Sequence, residues 1–301
     1  MADHFDRVLV GVDGRPSGRD AIALARLLVA GDGRTTLVHI HPGSAATADW
    51  VPAATDDDDA RSRELLERER DACAVDAELA VSGAPSVGRG LHDAAEAAHA
   101  DLLVVGSCSR GFAGRVLVGN DTRAALNGSP CAVAVAPLGY ARDMGRLATI
   151  GVGYDGSPES VAALALAREL AGRHGARVRA LTVVQIPGAQ WAGYGGLAWG
   201  SALDEIVAEA QAALDRLVDD TPPGGAELVG ETAIGVPGEE LAAFGERVDL
   251  LVVGSRGYGP VRRLIVGSSS EHLASHARCP LLVLPRAALA PSATGAKPPQ
   301  S

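Results

Sequence analysis

The chain is built twice from one unit, and this duplication limits its fold more than any other feature of the sequence. Gly254 lies 148 positions after Gly106, Cys279 lies 148 after Cys131, and Pro285 lies 148 after Pro137, so the later parts of the two copies stay in strict register. Nearer the start of each copy the spacing falls to 142, from Asp13 to Asp155, so the second copy carries a few extra residues between its first strand and its glycine-rich loop. Stacked repeats run to about 20–50 residues per unit, so a repeat this long is a duplicated domain. With 301 residues, 47% of them hydrophobic, each copy can bury a core of its own.

Within each copy, short apolar runs alternate with stretches of helical spacing, a pattern that predicts a parallel sheet with right-handed crossovers. Strands are expected near 7–12, 35–40, 78–81, 102–106 and 132–136, and again near 149–153, 178–184, 227–232, 250–254 and 281–284. Between them lie sets such as Val161, Leu164, Ala165 and Arg168, or Ile206, Ala210, Ala213 and Leu217, which recur at the period of a helix. This gives five strands and four helices per lobe. The domains are read as 1–140 and 146–287, with 138–146, containing Gly139, Arg142, Asp143 and Gly145, as the linker. From Arg286 onward the chain is rich in Ala and Pro and lacks periodic apolar positions, and 288–301 is expected to be a disordered tail.

A formal net charge of -10 and a pI near 5.3 argue against a sequence-independent grip on nucleic acid or an anionic membrane. The first apolar run, Val8 to Val12, is far too short for a signal sequence or a membrane span, which predicts a cytoplasmic protein. Cys73, Cys108, Cys131 and Cys279 have neither CxxC spacing nor the density of a disulfide framework. Cys131 and Cys279 read as buried thiols, whereas Cys108 falls in a loop and reads as inert or reactive.

The chemistry-bearing pattern is Gly254 and Gly257, then, after nine residues, Gly267, Ser268 and Ser269. Missing Cβ atoms at Gly254 and Gly257 permit positive φ and close backbone approach. Gly267 and Ser268 open a helix whose unpaired amides and dipole favour an anion. Two glycines alone would describe an ordinary strand, turn and serine-capped helix; the five positions together point to a nucleotide phosphate. No Gly-Lys-Ser/Thr sequence occurs, so a Walker-type loop is absent. Gly151, Gly153 and Gly156 do not complete a dinucleotide fingerprint.

Three features together resemble the universal stress protein family in a tandem form: the first strands ending in Asp13-Gly14 and Asp155-Gly156, the run from Asp249 to Gly257, and the closing Cys279-Pro280 strand. The resemblance covers both lobes and excludes the tail. It implies an α/β fold of two tandem Rossmann-like domains of the adenine nucleotide alpha hydrolase-like kind. Each would be a five-stranded parallel sheet of order 3-2-1-4-5 with helices on both faces. It also implies ATP as ligand, with or without Mg2+. Asp155 would contact ribose or base, Val183 adenine, and Gly254, Gly257, Gly267, Ser268 and Ser269 the phosphates. Considered alone, Asp155 reads equally as a turn residue before a helix started by Ser157 and Pro158. The family's habit of pairing through last strands implies an internal pseudo-dimer through 133–136 and 281–284, and allows a homodimer.

The two copies are unequal. Ser109 stands where the second copy has Gly257, and Asn120, Asp121 and Thr122 replace Ser268, Ser269 and Ser270. A carboxylate at Asp121 caps a helix but repels a polyphosphate, so the second lobe is expected to be the competent site. Asp56 to Asp59 read as a solvated helix start, and His272 with His276, like His39 with His41, as surface pairs without a third metal ligand. The stretch from Trp191 to Trp199 reads as an aromatic lid or a surface insertion. The functional expectation is an ATP-binding, nucleotide-dependent stress-response regulator that is not an efficient enzyme. Its rivals are a nucleotide-free interaction protein and a slow ATPase or phosphotransferase.

Overall fold

The runs Val8-Leu9-Val10 and Leu102-Leu103-Val104-Val105 are apolar at every position, which suits strands covered on both faces. In the computed structural model, which describes residues 5–42, 56–107, 120–142, 145–185, 198–221, 225–255, 272–273 and 276–285, their side chains divide between two cores. Val8, Val10, Leu102 and Val104 enter one core, while Leu9, Leu103 and Val105 enter the other.

The first lobe runs β1 (Arg7–Gly11), α1 (Pro16–Leu28), β2 (Arg34–Pro42), α2 (Asp56–Cys73), β3 (Glu78–Ala84), α3 (Val87–Ala97), β4 (Leu102–Gly106), α4 (Asn120–Leu126) and β5 (Ala132–Ala136). The second runs β6 (Thr149–Gly153), α5 (Pro158–His174), β7 (Arg177–Val184), α6 (Ala198–Asp219), β8 (Leu228–Ile234), α7 (Pro237–Phe244), a 3-10 turn (Gly245–Arg247), β9 (Leu250–Gly254) and β10 (Leu281–Leu284). Residues 272–273 and 276 are also helical. The tail, most of the glycine-serine loop, Cys108 and the stretch 191–197 lie outside the described residues.

Helix starts follow local chemistry. Ser86 caps α3 and Ser157 caps α5 through their side chains, and Pro16, Pro158 and Pro237 open their helices. Gly175, at φ 62°, ends α5 in the left-handed conformation. Asp101 and Asp249, 148 positions apart, perform one repeated task. Asp101 accepts the amides of Asp6 and Arg7, and Asp249 accepts those of Ala148 and Thr149, each at 2.8 Å, so the start of each fourth strand is tied to the start of the first.

Among the described residues the ten strands form one sheet of order β3-β2-β1-β4-β5-β10-β9-β6-β7-β8. Each lobe is thus parallel with the order 3-2-1-4-5. The lobes join where β10 pairs antiparallel with β5, setting Leu281 opposite Val135, Leu282 opposite Ala134 and Val283 opposite Val133. Helices reinforce the seam. Arg173 of α5 donates to the carbonyls of Leu28 and Val29, and the His174 ring bonds the Leu27 carbonyl at 2.8 Å, so side chains of one lobe serve the open carbonyls at the end of the other lobe's α1.

The linker is anchored by Asp20, a carboxylate only 2% exposed on α1. It accepts the amides of Gly139 and Ala141, both at 2.8 Å. Asp20→Ala would leave two amides without a partner, and is expected to lower stability by about 2–4 kcal/mol. Urea denaturation of the full chain checks this, and a change within a few tenths of a kcal/mol would show that the anchor is dispensable.

Candidate functional site

In each lobe, strands one and four are neighbours whose connections leave toward opposite sides of the sheet, and open α/β sheets place ligands at the carboxyl edge of that reversal. In the second lobe this is the junction of β6 and β9, where Ile150 pairs with Leu250 and Val152 with Val252. Asp155 follows β6, Gly254 ends β9, and Val183 lies near the end of the adjacent β7.

Gly254 is required here, for a reason different from the one expected. It is not among the glycines with positive φ; instead, a Cβ would stand 2.6 Å from the Glu159 Cβ and 2.8 Å from its carbonyl carbon. The bare strand end lets the first turn of α5 settle on the sheet. The first lobe repeats the arrangement, since a Cβ on Gly106 would stand 2.6 Å from the Ser17 carbonyl carbon on α1. The close approach found at Gly254 is thus that of a helix.

Asp155 has a defined local task. Its Oδ1 accepts the Ser157 amide at 3.1 Å and the Ser157 hydroxyl at 2.5 Å, while the Ser157 Oγ accepts the Ser160 amide at 3.2 Å. Gly156, at φ 75°, makes the turn possible. The turn residue and helix cap are thus observed directly. The preceding Tyr154 is clamped to β7: its amide donates to Leu181 at 2.9 Å, and its carbonyl accepts the Thr182 hydroxyl at 2.8 Å. The exposed Asp155 is in this way fixed at the mouth of the crevice. In the first lobe, Asp13 accepts the Arg15 amide at 3.0 Å, and His39 replaces Thr182, its ring bonding the Val12 carbonyl at 2.7 Å.

Val183 is half-buried and packs with the core that contains Leu181, Leu241 and Val253. Its neighbour across β8 is Ala233. Gly257, Gly267, Ser268 and Ser269 lie outside the described residues, as do Ser109 and the side chains of Asn120 and Asp121. Thr122 is described: its buried hydroxyl donates to the Gly106 carbonyl at 3.1 Å, using a backbone acceptor at the edge of the first-lobe crevice.

One residue of this crevice escaped sequence reasoning. Ser255 continues the ladder, its amide donating to Leu284 at 2.9 Å, yet its Oγ has no hydrogen-bond partner among the described residues although the residue is only 1% exposed. A buried hydroxyl without a partner costs about 1–3 kcal/mol. It stands directly after the bare Gly254, at the strand-order reversal.

Among the other side chains, one falls differently from expectation. His41 is buried, not exposed, and its Nε2 bonds Asp59 at 2.7 Å; α2 covers the strand face on which it lies, and the acidic helix start supplies its partner. Asp57 and Asp58 pair with Arg61. His272 and His276 stack at 4.1 Å, with the His276 Nδ1 bonded to the His272 carbonyl. No group of three or more metal-ligating side chains occurs among the described residues. Cys131 and Cys279 are buried as expected, and burial pushes their thiols up to about 11 and about 12, away from the reactive thiolate.

Two doubly wound lobes, each with a crevice at its strand-order reversal, place the molecule in the Rossmann-like α/β class. The chain belongs to the universal stress protein family, whose profile matches residues 4–137 and again 147–285. A universal stress protein of Mycobacterium tuberculosis is 31% identical over 202 residues, covering 66% of this chain and 69% of that one. A second from the same organism is 27% identical over 293 residues, covering 92% and 96%. Among solved structures, a universal stress protein from Archaeoglobus fulgidus superposes with a TM-score of 0.63 at 18% identity, covering 93% of this chain and 98% of that one. A Pseudomonas aeruginosa structure gives 0.66 at 13% identity, covering 95% and 96%. These two likenesses bear on the fold alone. No helix among the described residues is long and apolar enough to cross a membrane.

Proposed function

We propose that the second lobe binds ATP, with or without Mg2+, and that occupancy sets a conformation read by a stress-response partner in the cytoplasm. The supporting observation is the unpartnered Ser255 hydroxyl beside Gly254 at the reversal of strand order. A ligand with anionic oxygens would satisfy that donor, and the adjacent glycine-serine loop carries the residue types that bind such a group. In this reading Asp155 contacts the ribose or the base, Val183 the adenine, and Gly254, Gly257, Gly267, Ser268 and Ser269 the phosphates.

Ser255→Ala gives the proposal a two-sided signature. Removing a desolvated hydroxyl should leave the ligand-free protein at least as stable as before, while ATP binding weakens about tenfold. Calorimetric titration of ATP into both full-length proteins, together with their thermal midpoints, reads both effects. Unchanged ATP affinity in Ser255→Ala would remove the support.

A nucleotide-free interaction protein is the second reading, and Asp155 favours it. Oδ1 of this carboxylate already serves Ser157 and the start of α5, a task that stands without a ribose. Mass spectrometry of small molecules released from the purified protein separates the two: a stoichiometric adenine nucleotide supports the first.

A further inference from the structure

One peptide unit between β6 and α5 is held from both sides. The Tyr154 carbonyl accepts the Thr182 hydroxyl at 2.8 Å, and the Asp155 amide, the other half of the same peptide plane, donates to the Ser160 Oγ at 3.3 Å. Ser160 is in turn fixed: it is only 3% exposed, and its hydroxyl donates to the Ser157 carbonyl at 2.9 Å. Because the peptide is planar, holding its C=O and its N–H together fixes ψ of Tyr154 and φ of Asp155. The Ser157 amide and hydroxyl then orient the side chain through Oδ1. Backbone and carboxylate of Asp155 are thus both set by the chain itself.

The first lobe has only part of this device. His39 bonds the Val12 carbonyl at 2.7 Å, in the role of Thr182. Gly18, however, stands 142 positions before Ser160, and Arg15 stands 142 before Ser157, so neither hydroxyl is repeated. A Cβ on Gly18 would lie 3.4 Å from the Asp13 amide, which shows that α1 reaches the same place without bringing a hydroxyl to it. Asp13 keeps the Arg15 amide at 3.0 Å on its Oδ1.

We propose that Thr182 and Ser160 are positioning residues that preset Asp155 for the hydroxyls of a ribose, and so make the second lobe selective for ribonucleotides. This rests on the reading of that lobe as the ATP site, and it chooses the ribose over the base as the group Asp155 meets. Ribose hydroxyls donate and a carboxylate accepts, so the two are matched. A carboxylate oriented in advance gives up little rotamer freedom on binding. A site built to hydrogen-bond a ligand's hydroxyls rejects an analogue that lacks them.

The test is calorimetric titration of the full-length protein with ATP and, separately, with its dideoxy analogue, which lacks both ribose hydroxyls. The unaltered protein should prefer ATP by about tenfold or more. Thr182→Val keeps the branched shape suited to a strand. It should weaken ATP binding several-fold and leave the affinity for the analogue unchanged, so that the preference shrinks; Ser160→Ala should act in the same direction. Thr182→Ser, which keeps the donor, should retain the preference. A merely structural loss would weaken both nucleotides alike. In the protein without nucleotide, the Asp155 amide should exchange its hydrogen faster in Thr182→Val than in the unaltered chain. ATP binding with an unchanged preference in Thr182→Val, or unchanged exchange at Asp155, would overturn the role of Thr182 and leave the ATP reading standing. Absence of ATP binding in the unaltered protein would remove that reading and the selectivity with it.

Discussion

Gly254→Ala is expected to destabilise the second lobe by about 2–4 kcal/mol, a large effect for one added methyl group. The new Cβ would meet Glu159 backbone and Cβ atoms at 2.6–2.9 Å, and these belong to the first turn of α5, which cannot swing aside as a flexible side chain would. Relief requires α5 to move off β9, opening the junction that also positions Asp155. A control separates this packing cost from glycine's conformational freedom. At Gly156 a Cβ would meet nothing within 4 Å, but the residue sits at φ 75°, so Gly156→Ala should cost only about 1–2 kcal/mol. Gly106→Ala should repeat the larger effect in the first lobe against Ser17. Urea denaturation of the three variants checks the ranking, and a cost at Gly254 no greater than at Gly156 would contradict the packing account.

The second large effect is expected at the seam. Ala134 is fully buried and faces Leu282 across the β5–β10 pair, and one continuous core contains residues of both lobes. Unfolding of the unaltered protein should therefore be a single cooperative transition. Ala134→Glu would place a carboxylate in that core with no described cation to pair it, costing several kcal/mol. It is expected to split the calorimetric trace into two transitions at lower temperature as the lobes lose mutual support. Two resolved transitions in the unaltered protein, or a single unshifted one in the variant, would show that the seam does not couple the lobes.

Legibility in the sequence followed locality. The strands β4, β5, β6, β9 and β10 were readable to the residue, because runs such as Leu250-Leu251-Val252-Val253 are apolar throughout and end at glycines or prolines. At β2, β3 and β8 the observed strands extend one to three residues beyond the apolar pattern, since pairing continues to polar or small positions such as His41 with Gly83. Strand order came from resemblance, as periodicity says nothing about which strands are neighbours. His41 was misplaced because its partner, Asp59, arrives from a different element, and the covering of one strand face by α2 is a tertiary fact. Asp20 looked like any polar residue on a helix, and only the returning linker gives it two amides to hold.

The crevice residues divide along the same line. Asp155 and Gly254 were recognisable by motif, but their immediate structural tasks, capping through Ser157 and admitting α5, depend on contacts a motif does not specify. Ser255 lies within the run from Asp249 to Gly257, but the pattern gave it no role of its own. A serine after a strand is ordinary, and only burial without a hydrogen-bond partner distinguishes this one.

Of the two duplicated crevices, the second is the one proposed to bind ATP. Equilibrium dialysis of the full-length protein against labelled ATP tests it most directly through the number of ligands bound at saturation. One ATP per chain is the expected result; zero would remove the nucleotide reading, and two would remove the asymmetry between the lobes.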